Sequence, residues 1–332
     1  MLVKRMALVL FGLVLGAGIC EVGARILWQA PWYERLVAEQ KASETFAYRR
    51  NHWNLRDREY PSPKPPGRKR ILMVGDSFTF GQGVKDDAKI FPELLERDLT
   101  AAQISSAPNG VDILNGGLPG SLTDEWLRVW QATAEEFDPD LLVIVFFLRD
   151  GTRTASIPEF FDRIREEITQ ANQRSVRYRF SYLYRLYRGM KDRERVASLY
   201  AERFQASYFG VEHQTSEWRK AQANLLNLRD LARARGTRVG LVVFPMLVQL
   251  DESYPFQAIT DHVVAFARDN DFPVYNLLPD FMGRYAPDYW VSSLDQHPNE
   301  RGHALVAERL RPFLLSLLCA SPSPGAPESI RD

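Results

Sequence analysis

Apolar and polar residues alternate in blocks along the chain, and these blocks predict strands and helices in turn. Five short apolar runs are typical of buried strands: Arg70–Gly75, Val111–Asn115, Leu141–Phe147, Arg238–Pro245 and Phe272–Asn276. Helical periodicity occurs at about Phe91–Leu99, Thr123–Phe137 and Ser216–Arg235, and again after His303. Strands that alternate with helices predict an α/β fold, in which a central parallel sheet of about five strands lies between two helical layers.

The N-terminal segment, residues 1–28, is predicted to be a membrane anchor or a signal segment. Lys4 and Arg5 precede the fifteen uncharged residues Met6–Cys20, and extension to Trp28 reaches the roughly 20 residues that a bilayer core requires. Basic residues at the extreme N-terminus favour a cytoplasmic start and translocation of the remaining chain.

Two alternatives to an uncleaved anchor remain open, a cleaved signal peptide and a buried core helix. Gly16 and Gly18 resemble the small residues of a signal-peptide cleavage site, although no polar mature start follows them. Cys20 is a poor lipoprotein site, because Ile19 precedes it. Both the anchor and the signal peptide predict a domain outside the cytoplasm, and an anchor predicts a single-pass protein of the bacterial inner membrane.

The remaining chain divides into four predicted parts. Residues 29–67 form a linker or stalk, since four prolines between Tyr60 and Gly67 favour an extended polyproline segment. The folded domain covers residues 68–318, and residues 319–332 form a disordered tail. Because about ninety residues separate the third and fourth strands, a helical insertion is predicted at about 151–215.

The insertion contains a stretch rich in Arg and Tyr, from Arg174 to Arg195. One interpretation is a solvated helix face whose tyrosines pack inward. The other is a basic aromatic surface for an anionic glycan or for lipid headgroups. The sequence leaves both open.

Composition excludes several classes of protein. Hydrophobic residues make up 45% and charged residues 25% of the 332 residues, which is typical of a globular protein. Lys and Arg total 42, as do Asp and Glu, so the basic excess of a nucleic-acid-binding protein is absent. The two cysteines, Cys20 and Cys319, form no CxxC motif, and no Cys/His cluster indicates a structural zinc. The sequence predicts no metal and no cofactor.

Ser77 is the candidate nucleophile, in the stretch Gly75-Asp76-Ser77-Phe78-Thr79-Phe80-Gly81. A serine between a buried strand and a helix presents its hydroxyl at the carboxyl edge of the sheet, where open α/β folds place their sites. Serine needs a base within hydrogen-bonding reach. His297 is the candidate base, and Asp295, two positions earlier, can hold its tautomer as the acid of a catalytic triad does.

These motifs together resemble the GDSL or SGNH hydrolase superfamily from about Arg70 to Leu317. The resemblance implies the three-layer α/β/α fold of these hydrolases, which is flavodoxin-like. It also implies that Ser77 is the nucleophile, that His297 and Asp295 complete the triad, and that the N–H of Gly120, in Asn115-Gly-Gly-Leu-Pro-Gly120, joins the oxyanion hole. His303 is expected to have a structural or supporting role.

The sequence departs from the family pattern at two positions. Arg149 lies where the family has an oxyanion-hole Asn. A guanidinium can donate to an oxyanion, form an ion pair or bind an anionic substrate, and these alternatives remain open. The family's acid normally precedes the histidine by three positions, where this chain has Leu294, so Asp295 must reach His297 through a tighter turn.

The resemblance to membrane-anchored members of the superfamily implies a serine-dependent esterase or O-acyltransferase. Its expected substrates are acyl esters, above all O-acetyl esters of envelope or exported polysaccharides. Two alternatives are a non-catalytic polysaccharide-binding or assembly protein on a degenerate hydrolase scaffold, and a lipase-like esterase. No nucleic-acid partner is expected.

Overall fold

The computed structural model describes residues 2–29, 46–152, 158–210, 216–293 and 295–319. The chain divides into two compact units. One comprises Met1–Glu39 and Thr154–Phe204, and the other comprises Gln40–Arg153 and Gln205–Asp332.

The elements follow one another in nearly the predicted order and with nearly the predicted bounds. The strands are β1 (Lys69–Gly75), β2 (Val111–Gly117), β3 (Leu141–Phe147), β4 (Arg238–Phe244), β5 (Val274–Asn276), β6 (Trp290–Ser292) and β7 (Asp295–Pro298). The helices are α1 (Leu2–Gln29), α2 (Ser77–Phe80), α3 (Phe91–Ala101), α4 (Thr123–Phe137), α5 (Pro158–Arg174), α6 (Val176–Phe180), α7 (Tyr182–Phe209), α8 (Ser216–Ala234), α9 (Gln257–Asp269), α10 (Leu278–Phe281) and α11 (Glu300–Cys319).

Strands β1 to β5 form one parallel sheet in the order β2-β1-β3-β4-β5, which confirms the predicted α/β fold. Every residue of β2 and β3 is buried, because helices pack on both faces of the sheet. The chain passes from β1 to β2 on one side and then to β3 on the other. The crevice at the carboxyl ends of β1 and β3 is therefore a topological switch point, the usual site for ligands in such sheets.

The described part of the predicted linker, from residue 46 onward, packs on the sheet unit. The buried Arg56 guanidinium donates to the carbonyl oxygens of Phe80, Gly81 and Val84, and the buried Asp57 accepts from the Asn115 N–H at 2.8 Å. These contacts differ from the extended spacer expected from the prolines. The polar and aromatic residues before the prolines satisfy backbone groups of the domain, which a spacer would leave to water.

The other unit contains α1, α5, α6 and most of α7. Its helices α5 to α7 fall where the helical insertion was predicted. Within α1, Lys4–Leu27 is long and apolar enough to cross a membrane, and its large apolar side chains are exposed. Membrane-spanning helices and N-terminal signal sequences share this length and composition.

Candidate active site

Ser77 is the first residue of α2, directly after the carboxyl end of β1. The Asp76 side chain caps this helix, since its Oδ1 accepts from the Phe78 N–H at 2.8 Å. Glycine is required at position 75, because a Cβ there would lie 2.1 Å from the Thr79 Oγ1 and 2.9 Å from the Val145 carbonyl oxygen. The turn therefore holds the largely buried Ser77 in one place at the sheet edge.

His297 and Asp295 reach Ser77 from the hairpin of β6 and β7. The His297 Nε2 lies 2.9 Å from the Ser77 Oγ. Its Nδ1 lies 2.5 Å from the Asp295 Oδ1, and the same oxygen accepts from the His297 backbone N–H at 3.0 Å. The structure thus brings Ser77, His297 and Asp295 together. Ser77 and His297 are 220 positions apart in the chain, and Asp295 precedes His297 by two.

The positions of the protons on Ser77, His297 and Asp295 follow from the ionisation of Asp295. Burial opposes its ionisation, but the hydrogen bonds and charge of His297 outweigh burial and hold the pKa of Asp295 below its usual value. An ionised carboxylate only accepts, so the His297 Nδ1 carries a proton. In the neutral imidazole the Nε2 is then the acceptor, and the Ser77 hydroxyl donates to it.

Gly120 lies in a turn that is fixed beside Ser77. The Leu118 N–H donates to the Gly75 carbonyl at 3.0 Å, and the Ser121 hydroxyl donates to the same oxygen at 3.2 Å. The Ser121 N–H closes the turn on the Leu118 carbonyl at 3.1 Å, with Pro119 second and Gly120 third at a φ of 73°. This is the residue pattern of a type II turn, and it leaves Gly120 exposed at the sheet edge.

The N–H groups of Ser77 and Gly120 have no acceptor among the described residues. Both follow carboxyl ends of neighbouring strands, β1 and β2. Two unpaired backbone donors beside a serine hydroxyl are the usual composition of an oxyanion hole.

Arg149 follows the next strand, β3, and pairs with the residue beside the serine. Its Nη2 lies 3.3 Å from the Asp76 Oδ2, which is also 3.3 Å from the Ser77 Oγ. The Arg149 Nε is buried and has no hydrogen-bond partner among the described residues. Burial raises the pKa of Asp76 although the guanidinium charge lowers it, and burial also raises the pKa of the neighbouring Asp150.

His303 is separate from this chemistry. It is fully buried, its Nδ1 accepts from the Phe91 N–H at 3.1 Å, and its ring stacks on Phe91. Burial lowers the pKa of His303 to about 3, so the ring is neutral near neutral pH. These contacts fit the structural role expected for it.

Asp76 is a site residue that sequence reasoning did not single out as more than part of the motif. Its Oδ1 accepts from the Phe78 N–H and its Oδ2 pairs with the Arg149 guanidinium, and the Oδ2 also lies 3.3 Å from the Ser77 Oγ, whose one hydrogen is directed to His297. The sequence contained signals for this role of Asp76. An Asp directly before a short helix is a common N-cap, and Arg149, which pairs with it, lies where the family pattern has an Asn. The other family position in doubt, Leu294, lies outside the described residues.

Comparison with known proteins identifies the family to which the serine and histidine motifs belong. A family model described as the GDSL-like Lipase/Acylhydrolase family matches residues 73–305, which include every candidate site residue. No curated protein matches the chain.

Several solved structures are similar to this chain. TesA has 19% identity, with 75% of this chain and 99% of that chain covered and a TM-score of 0.46. The psychrotrophic esterase EstA from a Pseudoalteromonas species has 16% identity, covering 74% and 96%, with a TM-score of 0.44. A two-domain esterase active on acetylated mannans has 16% identity, covering 80% and 53%, with a TM-score of 0.42.

Proposed function

The chain belongs to the GDSL-like lipase/acylhydrolase family, whose members are hydrolases that act on esters, and from this premise we propose that it is a serine-dependent carboxyl-ester hydrolase or O-acyltransferase. Ser77 is the nucleophile, His297 the general base and Asp295 the residue that orients the base. The distance of 2.9 Å between the Ser77 Oγ and the His297 Nε2 is the observation that supports this proposal most strongly.

In the first half-reaction the Ser77 Oγ attacks the carbonyl carbon of the ester, and its proton passes to the His297 Nε2. The imidazolium is stabilised by the ionised Asp295 at its Nδ1. Collapse of the tetrahedral intermediate breaks the bond to the alcohol oxygen, which takes the proton from His297. The acyl group is then bound to Ser77 as an ester.

The negative oxygen of the intermediate is stabilised by the backbone N–H groups of Ser77 and Gly120. Arg149 contributes positive charge to the same edge of the sheet. Because one guanidinium nitrogen pairs with Asp76, the proposed role of Arg149 is to hold that carboxylate and to add to the positive potential at the oxyanion.

In the second half-reaction His297 removes a proton from the acceptor, whose oxygen attacks the acyl carbon; the bond to the Ser77 Oγ then breaks, and that oxygen takes the proton back from His297. Water as the acceptor gives hydrolysis, and a sugar hydroxyl gives acyl transfer. The proposed substrates are O-acetyl esters of envelope or exported polysaccharides. The proposed location is the outer side of the bacterial cytoplasmic membrane, with α1 as the anchor. The apolar part of α1 that follows Lys4 and Arg5 supports this location.

Fluorophosphonate labelling combined with ester turnover tests the proposal. The full chain in detergent is expected to react at Ser77 and to release acetate from acetyl esters faster than long acids from long-chain esters. Ser77→Ala and His297→Ala should abolish both activities. His52→Ala, at an exposed histidine of the same unit, is the matched histidine control and should retain both labelling and turnover. Absence of both labelling and turnover would contradict the proposal that the chain is a serine-dependent esterase or acyltransferase. Turnover of long-chain esters alone would indicate a lipase-like esterase.

A further inference from the structure

The basic segment, residues 174–191, has a charge that contrasts with the neutral chain. It contains six basic residues and no acidic residue: Arg174, Arg177, Arg179, Arg185, Arg188 and Lys191. Among these, the side chains of Arg174, Arg177 and Arg179 are exposed on the end of α5 and on α6. A local concentration of positive charge of this kind attracts an anionic surface.

The same segment exposes apolar side chains on regular helical faces. Val176 and Phe180 are four positions apart on α6, and both are about 70% exposed. Leu183, Tyr187 and Met190 follow on α7 at helical spacing and are each about half exposed. Exposed apolar residues on helical faces next to arginines are typical of helices that lie in a membrane interface.

The basic segment is attached to the end of the apolar helix α1. The Glu21 carboxylate accepts hydrogen bonds from the Tyr182 and Leu183 N–H groups and from the Ser181 hydroxyl, at the start of α7. The Arg25 guanidinium lies 4.8 Å from the centre of the Tyr182 ring. Glu21 thus caps α7 from another helix, which satisfies backbone donors that the helix itself cannot.

Glu21 lies at the depth of a membrane boundary when α1 spans a bilayer. It is 17 positions after Lys4, or about 26 Å along a helix, and a hydrocarbon core is about 30 Å thick. The three hydrogen bonds to Glu21 therefore hold the start of α7 near the headgroups of the leaflet opposite Lys4.

We propose that the basic segment binds the surface of the bilayer that α1 spans, with its arginines on anionic phospholipid headgroups and its apolar side chains in the interface. This inference rests on the proposed insertion of α1. An anionic glycan would satisfy the arginines but would leave Val176, Phe180 and Leu183 in water, so the apolar face favours the lipid surface.

Depth-dependent fluorescence quenching of the full chain tests this proposal. In a background with Cys20 and Cys319 replaced by Ser, an environment-sensitive label is placed at Val176→Cys, and separately at Val14→Cys on α1. The protein is reconstituted in phosphatidylcholine bilayers with or without phosphatidylglycerol, and nitroxide lipids are the quenchers. The Val14 label should be quenched in both bilayers, and the Val176 label mainly in the anionic one.

Charge variants supply the matched comparison. The triple variant R174S/R177S/R179S should weaken surface association roughly fivefold for each arginine lost, and so largely abolish quenching of the Val176 label. The triple variant R97S/R268S/R311S removes the same charge from exposed positions of the other unit and should retain quenching. Glu21→Ala should reduce quenching at Val176 and leave it intact at Val14.

Three results would overturn the proposal. Quenching at Val14 without quenching at Val176 in anionic bilayers would remove surface binding and leave the anchor intact. A response of the Val176 label to soluble hyaluronate in phosphatidylcholine bilayers, without a response to phosphatidylglycerol, would assign the segment to an anionic glycan. Absence of quenching at Val14 would remove the anchor and this inference with it.

Discussion

Asp295 accepts two hydrogen bonds from His297, one from the backbone N–H and one from the ring Nδ1. This two-position turn explains how an acid one residue closer than the family's usual spacing can still orient the base. The bond from the backbone N–H holds the same Asp295 oxygen that the ring Nδ1 contacts, so one carboxylate oxygen is fixed beside both groups of His297.

Replacement of Asp295 by Asn tests this arrangement. The amide can donate to the Nδ1, which favours the tautomer with its proton on the Nε2 and prevents that atom from accepting from Ser77. We expect kcat for ester turnover to fall by roughly two to four orders of magnitude, with little change in KM. Asp288→Asn, a neighbouring exposed acid, is the control; equal rates for the two variants would contradict the role of Asp295.

Two replacements test whether Arg149 assists the reaction or only forms an ion pair with Asp76. Arg149→Ala removes the charge beside Asp76 and should lower the acyl-transfer rate by roughly one to three decades. Arg149→Lys keeps a charge and should recover part of kcat. If both variants retain the full rate and lose only thermal stability, Arg149 is a structural ion-pair partner of Asp76.

The raised pKa of Asp57 predicts that the stability of the protein depends on pH. Burial, ahead of the nearby Glu93 charge, raises the pKa of Asp57 to about 7, well above that of an unfolded aspartate. Between about pH 4 and pH 7 the folded chain therefore holds a proton that the unfolded chain has released. The free energy of unfolding should fall as pH rises through this window, by up to about 4 kcal/mol from this group.

Urea unfolding at several pH values in mild detergent measures this effect. Asp57→Asn should flatten the slope between pH 4 and pH 7 relative to the wild type. A slope that is unchanged in the variant would assign the titration to another carboxyl whose pKa burial raises, such as the half-buried Glu93.

At the scale of elements, the turn Leu118–Ser121 supports the proposed oxyanion hole through its glycine. Gly120 has a φ of 73°, and a Cβ there would meet no atom within 4 Å. Gly120→Ala therefore strains the backbone without a clash, at a cost of about 1 kcal/mol. We expect kcat to fall at least about tenfold, because relief of that strain moves the donor N–H.

Gly236 gives a matched control for this prediction. Its φ is 76°, a Cβ there also meets nothing within 4 Å, and it follows α8 before β4. Gly236→Ala should lose similar stability, measured by thermal unfolding, and keep full activity. Equal loss of activity in both variants would contradict the oxyanion role of Gly120.

The strands and main helices were predictable, because β1 and β3 are apolar runs and α4 carries a clear helical period. The hairpin of β6 and β7 was not, since Asp295–Pro298 is a short polar stretch whose pairing depends on a partner strand. The packing of Arg56 and Asp57 on the sheet unit also could not be predicted from the sequence. The Arg56 bonds to the Phe80, Gly81 and Val84 carbonyls and the Asp57 bond to the Asn115 N–H join groups 24 or more positions apart, which no local pattern encodes.

At the scale of the whole molecule, the proposed reaction needs strands and a hairpin that are far apart in sequence to meet. Ser77 follows β1, Gly120 follows β2 and Arg149 follows β3, while His297 comes from the hairpin before α11. The motifs named these residues as candidates, and their catalytic roles stay predictions. The pairing of Arg149 with Asp76 depends on side-chain direction, and only the structure supplies it.

The N-terminal helix leads to a prediction for the intact protein. If α1 is an uncleaved anchor, the mature chain should begin at or near Met1 and should resist extraction from membranes by alkaline carbonate. N-terminal peptide mass spectrometry of the membrane fraction checks this. A soluble mature protein with a new N-terminus near residue 19 would indicate a cleaved signal peptide.

The central claim is that Ser77 carries the acyl group, and trapping of the acyl-enzyme tests it most directly. The full chain is mixed with an activated acetyl ester, quenched in acid and digested for peptide mass spectrometry. We predict one added acetyl group on the peptide that contains Ser77, lost in Ser77→Ala and strongly reduced in His297→Ala. Turnover of the ester with no acetyl group on Ser77, or an acetyl group at another residue that persists in Ser77→Ala, would contradict the account.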